Sequence, residues 1–178
     1  TAHRLATALE AHGLVRRDGD GRFALGGRLL SLGRAASESW SLATAAAPAL
    51  ATLRDETAES VQLFVREGDE RVCIAALQSP HGLRTIVPLG ARLPLDLGSA
   101  GRVLGGDTPA SPWSASVEEL EAGVASVSAA VRDAQGRVIA AVSVSGPVER
   151  TSRRPGDRYG DAVVAAAHRI EIAAGIHG

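Results

Sequence analysis

The sequence predicts an α+β protein of two unequal parts: a short helix–hairpin–helix front, then a larger body in which helices bracket antiparallel strand pairs. Three observations carry this reading. Residues 1–26 run from an amphipathic helical pattern into two short apolar segments separated by Asp18-Gly19-Asp20-Gly21. Further on, residues 60–66 and 71–77 flank one four-residue loop, and residues 124–131 and 138–145 flank a second turn sequence. Alanine-rich helical patterns precede the first pair and follow the second.

Each element has a local cause. Thr1 is placed to cap a helix whose Ala2, Leu5, Ala6 and Leu9 share one apolar face, and Gly13 stops it. Residues 14–15 and 23–25 then pair around the Asp-Gly turn. Gly26-Gly27 interrupts, and Leu29, Leu30, Leu32, Ala35 and Ala36 mark a short linker helix. The expected divisions are therefore 1–26, 27–40 and 41–178, with a boundary near 37–41.

In the body, a helix over 42–56 carries Leu42, Ala46, Ala49, Leu50 and Leu53 on one side. The first strand pair follows, and residues 83–87 are read as a third strand. The small-residue run from Gly98 to Leu104 reads as a turn entering a short helix. Residues 105–116 have no periodicity and are read as loop. The second pair turns at Asp133-Ala134-Gln135-Gly136, and a helix over 157–174 closes the chain with Tyr159, Val163, Ala166, Ala167 and Ile170 inward.

Bulk composition narrows the function classes. The chain is long enough for one core plus a small second unit, and no run of 18 apolar residues predicts a membrane span. The single cysteine, Cys73, excludes an internal disulfide framework, fits a reducing cytoplasm and is read as an inert core thiol. All 19 basic residues are arginine, the usage of a GC-rich bacterial genome. With no methionine present, Thr1 is not expected to be the translational start. Residues 1–38 hold six arginines against four acids, and the remaining 140 hold thirteen against sixteen, so a basic front sits on an acidic body.

An arginine-bearing helix followed by a hairpin is the order of recognition helix and wing in a winged helix-turn-helix, entered partway through. There the helix reads the major groove of double-stranded DNA and the hairpin meets the flanking backbone. His3, Arg4 and Thr7 are the candidates for base edges and phosphates, since an arginine fork grips guanine or phosphate through two hydrogen bonds. Arg16, Arg17 and Arg22 on the hairpin are expected to meet phosphates.

The segments 1–33, 59–79, 83–104 and 117–147, in this order, resemble the IclR family of bacterial transcriptional regulators. The resemblance implies two further helices before Thr1 and a profilin-like or GAF-like effector domain whose antiparallel sheet is flanked by helices. It implies a homodimer or homotetramer on operator DNA, and a small organic effector, commonly an acid or aromatic compound. It also implies several dozen further residues between Leu104 and Trp113, where this chain has eight, and we expect them to be missing rather than deleted.

By the same resemblance the effector sits between the sheet and the turn at Ser99-Ala100. Backbone N–H groups of Ser99, Ala100 and Gly101 would receive a carboxylate, Leu93 and Val124 would form apolar walls, and Ser116 and Ser126 would make polar contacts. Family members that take small keto acids place Asp at the position of Ser116 and Cys at that of Ser126, so a larger or less charged effector is expected here. His81 and Arg84 are read either as further contacts for an anion or as a surface hairpin end. The run Glu118-Glu119-Leu120-Glu121 reads as a solvated face.

Nothing points to an enzyme. Gly98-Ser99-Ala100-Gly101 lacks the nucleophile elbow, a Walker loop is impossible without lysine, and the five histidines are scattered without metal-ligand spacing. No cofactor or metal is expected. The alternative to a regulator is a sensor module that binds a small molecule or partner protein without contacting DNA.

Overall fold

The computed structural model describes residues 2–39, 41–106 and 111–175, in two compact units that divide between residues 40 and 41. The front unit holds α1 (Ala2–Ala11), β1 (Val15–Arg17), β2 (Phe23–Leu25) and α2 (Arg28–Ser39). Asp18 closes the β1–β2 turn, its Oδ1 accepting the backbone N–H groups of Asp20 (3.1 Å) and Arg22 (2.8 Å). The helix-ending role assigned to Gly13 has a visible basis. Its φ of 68° is a left-handed conformation that a side chain would resist. Thr1, assigned a capping role, lies outside the described residues.

The body holds α3 (Ser41–Thr57), β3 (Ser60–Glu67), β4 (Glu70–Leu77), β5 (Arg92–Pro94), α4 (Ser99–Gly105), β6 (Trp113–Val117), β7 (Val124–Arg132), β8 (Val138–Pro147), α5 (Val148–Thr151) and α6 (Pro155–Ala173). The six strands form one antiparallel sheet in the order β5-β4-β3-β8-β7-β6. The two hairpins thus meet at a central β3–β8 seam, with Ser60 opposite Ser145 and Phe64 opposite Ala141.

Strand alternation sorts the side chains. Val61, Leu63, Val127, Ala129, Val142 and Val144 face α3 and α6, and they build the main core with Leu50, Leu53, Val163 and Ile170. The opposite face carries a smaller cluster of Phe64, Cys73, Ala100, Val103, Leu104 and Ala141 under α4. Burial pushes the Cys73 thiol up to about 12, which suits an unreactive core thiol.

Three expectations need correction. Residues 83–87 form no strand: Leu83 and Ile86 are exposed, and the Leu83 and Thr85 carbonyls accept from Arg150 and Ser60 side chains. The short third strand lies later, at β5. Within 105–116, residues 113–116 belong to β6, because Trp113 and the small alternating residues after it pair with β7. The short helix α5 between β8 and α6 was not foreseen.

Trp113 packs directly on Gly156 and Gly160 of α6, where any added Cβ would collide with the indole. Gly160→Val is therefore expected to destabilise the body by roughly 1–3 kcal/mol through overpacking. Thermal unfolding checks it, and an unchanged melting temperature would mean that the indole is free to move aside.

Candidate functional site

The face of the sheet opposite α3 and α6 is polar where a core would normally be apolar. Two rows of hydroxyls cross the strands in register. Ser116, Ser126, Ser145 and Ser60 form one row, and Ser114, Ser128 and Ser143 form the other, which ends at Gln62. Ser99, at the start of α4, places Oγ 2.7 Å from both Ser126 Oγ and Ser128 Oγ. Ser116 lies 2.9 Å from Ser126, Ser128 donates to Ser143 at 2.9 Å, and Ser145 donates to Gln62 Oε1 at 3.2 Å. Buried hydroxyls are tolerated here because they satisfy one another.

Above this floor lies a cavity of about 410 Å³. Phe64, Val87, Leu93, Leu120 and Val124 supply apolar walls, and Ser99, Ser116, Ser126, Ser143 and Ser145 supply the hydroxyls. Its volume falls in the usual range for small-molecule sites, and apolar walls with a few convergent polar groups are their usual composition.

Of the positions assigned from the sequence, Leu93, Ser99, Ala100, Ser116, Val124 and Ser126 line this cavity. Gly101 does not. It is wedged behind the lining, where an added Cβ would strike the Leu95 carbonyl and the Arg71 guanidinium. The backbone N–H of Gly98 is already occupied, donating to Glu119 Oε2 at 3.1 Å. Arg84 folds back on its own loop, donating to Gln78 Oε1 and to the carbonyls of His81 and Gly82, so it serves the loop rather than the cavity.

The acidic run is not simply a solvated face. Burial would raise the Glu119 carboxyl, but hydrogen bonds from Arg102 and the Gly98 N–H outweigh it and hold the group below the ordinary value. Glu118 accepts from the Gly123 N–H and from Arg153, and Glu121 lines the cavity. Glu119 and Arg102 thereby pin the start of α4 to the end of β6.

Two charged residues went unnoticed in the sequence. Arg71 of β4 lines the cavity while only 3% exposed. Burial lowers its pKa, and the nearby charge of Asp96 opposes that shift. Glu59, equally buried, receives a two-pronged hydrogen bond from Arg150 at 2.7 and 2.8 Å, and Arg150 also donates to the Leu83 carbonyl. This ion pair anchors the loop that carries Thr85 and Ile86 along the cavity wall.

In the front unit, Arg4, Thr7, Arg16, Arg17 and Arg22 are exposed, Arg4 and Thr7 on α1 and the arginines on the hairpin. The His3 side chain lies outside the described residues. Arg17 is the most constrained, 3.4 Å from Glu10 and 4.6 Å from the centre of the Phe23 ring.

A short arginine-bearing front unit followed by a body with a ligand-sized cavity is the organisation of a ligand-responsive transcriptional regulator. The comparisons name the family. The model of the bacterial transcriptional regulator IclR C-terminal domain matches residues 34–110 and 106–172, and this chain belongs to the IclR family. The two matches overlap at residues 106–110, between the end of α4 and the start of β6. The transcriptional repressor IclR of Escherichia coli K12 is 26% identical over 213 residues, covering 98% of this chain and 78% of that protein. The crystal structure of Thermotoga maritima IclR covers 98% of this chain and 85% of its own, with a TM-score of 0.77 at 22% identity. An IclR homologue from Microbacterium hydrocarbonoxydans complexed with 4-hydroxybenzoate covers 97% of this chain and 84% of its own, with a TM-score of 0.75 at 22% identity. The function of the present chain is that of a DNA-binding transcriptional regulator with a C-terminal effector domain, and the curated relatives named for it are regulators, not enzymes. Among the described residues, no helix is long and apolar enough to cross a membrane.

The Glu59–Arg150 pair makes an asymmetric prediction. Arg150→Ala strands a buried carboxylate and is expected to cost on the order of 3 kcal/mol, whereas Glu59→Gln leaves Arg150 free to reach water and costs less. Chemical denaturation of both variants decides; equal losses would contradict the asymmetry.

Proposed function

We propose that the front unit is the recognition helix, wing and linker helix of a winged helix-turn-helix, and that it holds operator DNA as part of a homodimer or homotetramer in the cytoplasm. A small organic effector in the body cavity decides when the DNA is held. The observation that carries this reading is the cavity itself, polar on its floor and apolar on its walls, in a domain whose family regulates transcription. The exposed arginines of α1 and the β1–β2 hairpin support the DNA half. Effector binding would shift the population between spacings of the paired DNA-binding units, and only one spacing fits both half-sites.

Arg4 is assigned to bases, Arg16 and Arg22 to phosphates. Arg17, braced against Glu10 and Phe23, contributes more to hairpin shape. Fluorescence anisotropy on DNA flanking the protein's own gene, against random DNA over a salt series, tests the assignment. Native DNA should bind more tightly with a steep salt dependence. Arg4→Ala is expected to lose about 1–3 kcal/mol of sequence preference, and Arg16→Ala to weaken all DNA alike and lower the salt slope by about one. No preference for native DNA at any salt would turn the reading to a sensor without DNA contact.

The effector half is tested by filling the floor. Ser126→Leu is expected to abolish the change in operator affinity produced by an active member of a panel of aromatic and aliphatic acids, with DNA binding itself retained. A response equal to that of the parent protein would remove the cavity from the mechanism.

A further inference from the structure

Arg71 is held in an unusual way. It sits on β4, nearly inaccessible to water, and its Nη1 donates only to neutral carbonyls, those of Pro94 and of Leu97 at 2.7 Å. The guanidinium carbon lies 5.4 Å from the centre of the Phe64 ring. Among the described residues no carboxylate comes within ion-pair distance of it, and its Nε is buried without any hydrogen-bond partner. Two other partly buried arginines are matched to carboxylates, Arg150 to Glu59 and Arg102 to Glu119. Asp96 is near enough to favour the charge but makes no ion pair with it, so the guanidinium keeps neutral hydrogen-bond partners in a buried place, a cost that a ligand's own charge would offset.

A second orphan lies in the same cavity wall. Thr85 Oγ1 is buried with no partner. Gly98 and Ser116 border the guanidinium: a Cβ added at Gly98 would lie 3.3 Å from Arg71 Nη2 and 3.9 Å from Ser116 Oγ. The absent side chain at Gly98 keeps that approach open. The carboxylate among the lining residues, Glu121, is exposed and water-screened.

We propose that Arg71 anchors a carboxylate of the ligand that fills this cavity, with the apolar remainder of that ligand against Phe64, Leu93 and Val124. This rests on the reading of the cavity as the effector site and narrows the effector to an apolar organic acid. A planar carboxylate that approaches past Gly98 meets Nη2, the corner of the guanidinium left over by the Pro94 and Leu97 carbonyls, and supplies the opposite charge. A neutral ligand of the same shape leaves the buried charge unmatched.

Titration calorimetry on the full chain tests this with paired probes: benzoate against benzamide, 4-hydroxybenzoate against 4-hydroxybenzamide, and octanoate against octanamide. At least one acid is expected to bind, with its amide weaker by about tenfold or more. Arg71→Gln should erase that difference, and Arg71→Lys, which keeps the charge but not the fork, should preserve part of it. Equal binding of acids and amides, a preference that survives Arg71→Gln, or no binding by any of the three acids overturns the proposal. Should Arg71→Gln fail to fold, the acid–amide comparison on the parent protein and on Arg71→Lys decides. Arg71-dependent acid binding without any change in DNA anisotropy would leave the anchor standing and refute the effector reading instead.

Discussion

The body depends on the pairing of β3 with β8 at the centre of its sheet. These strands come from opposite halves of the body, and their register, Ser60 with Ser145 through Phe64 with Ala141, decides which side chains face which way. With this register Val61, Leu63, Val142 and Val144 lie under α3 and α6, while Gln62, Ser143 and Ser145 face the cavity. A slip of one residue would turn the hydroxyls into the apolar core and the valines onto the polar floor. Core and site are thus two sides of one constraint, and neither can be altered along these strands without reference to the other.

Much of the fold was legible because its hairpins announce themselves. In both Asp18-Gly19-Asp20-Gly21 and Asp133-Ala134-Gln135-Gly136 the leading aspartate accepts backbone N–H groups two and four residues on, so the residue type and the turn have one cause. The strand at Trp113–Val117 was hidden because its pattern of serine and alanine looks like a linker, and only the groove made by Gly156 and Gly160 reveals why a tryptophan opens it. The segment 83–87 misled in the other direction, its apolar residues being partly spent around the cavity rather than on a sheet.

The site was half legible. Resemblance pointed to Ser99, Ser116 and Ser126, but the serines at 143 and 145 on the neighbouring strand carried a signal that was not used. Two pairing segments that each place serine at every second position, 126 and 128 against 143 and 145, describe a hydroxyl-lined face without any structure. Arg71 gave no such signal. An arginine between Glu70 and Val72 near a hairpin end reads as surface, and only the loop carrying Leu95 and Leu97, which closes over it, makes it interior. Sequence spacing encodes the period of a strand but not what a distant loop covers.

The serine floor has one more consequence. Each hydroxyl both gives and takes a proton in hydrogen bonding, and its hydrogen swings about the C–O bond. Each has one proton to give, so the donations from Ser128 to Ser143 and from Ser143 to the Val127 carbonyl set the rest: Ser116 gives to Ser126, Ser126 to Ser99 and Ser99 to Ser128. With these protons committed, and those of Ser145 to Gln62 and Ser60 to the Thr85 carbonyl, the floor offers a guest oxygen lone pairs rather than protons. A guest that brings its own hydroxyl or N–H to this floor would be met without disturbing the relay, whereas a guest with acceptors alone would have to break a serine contact to be received.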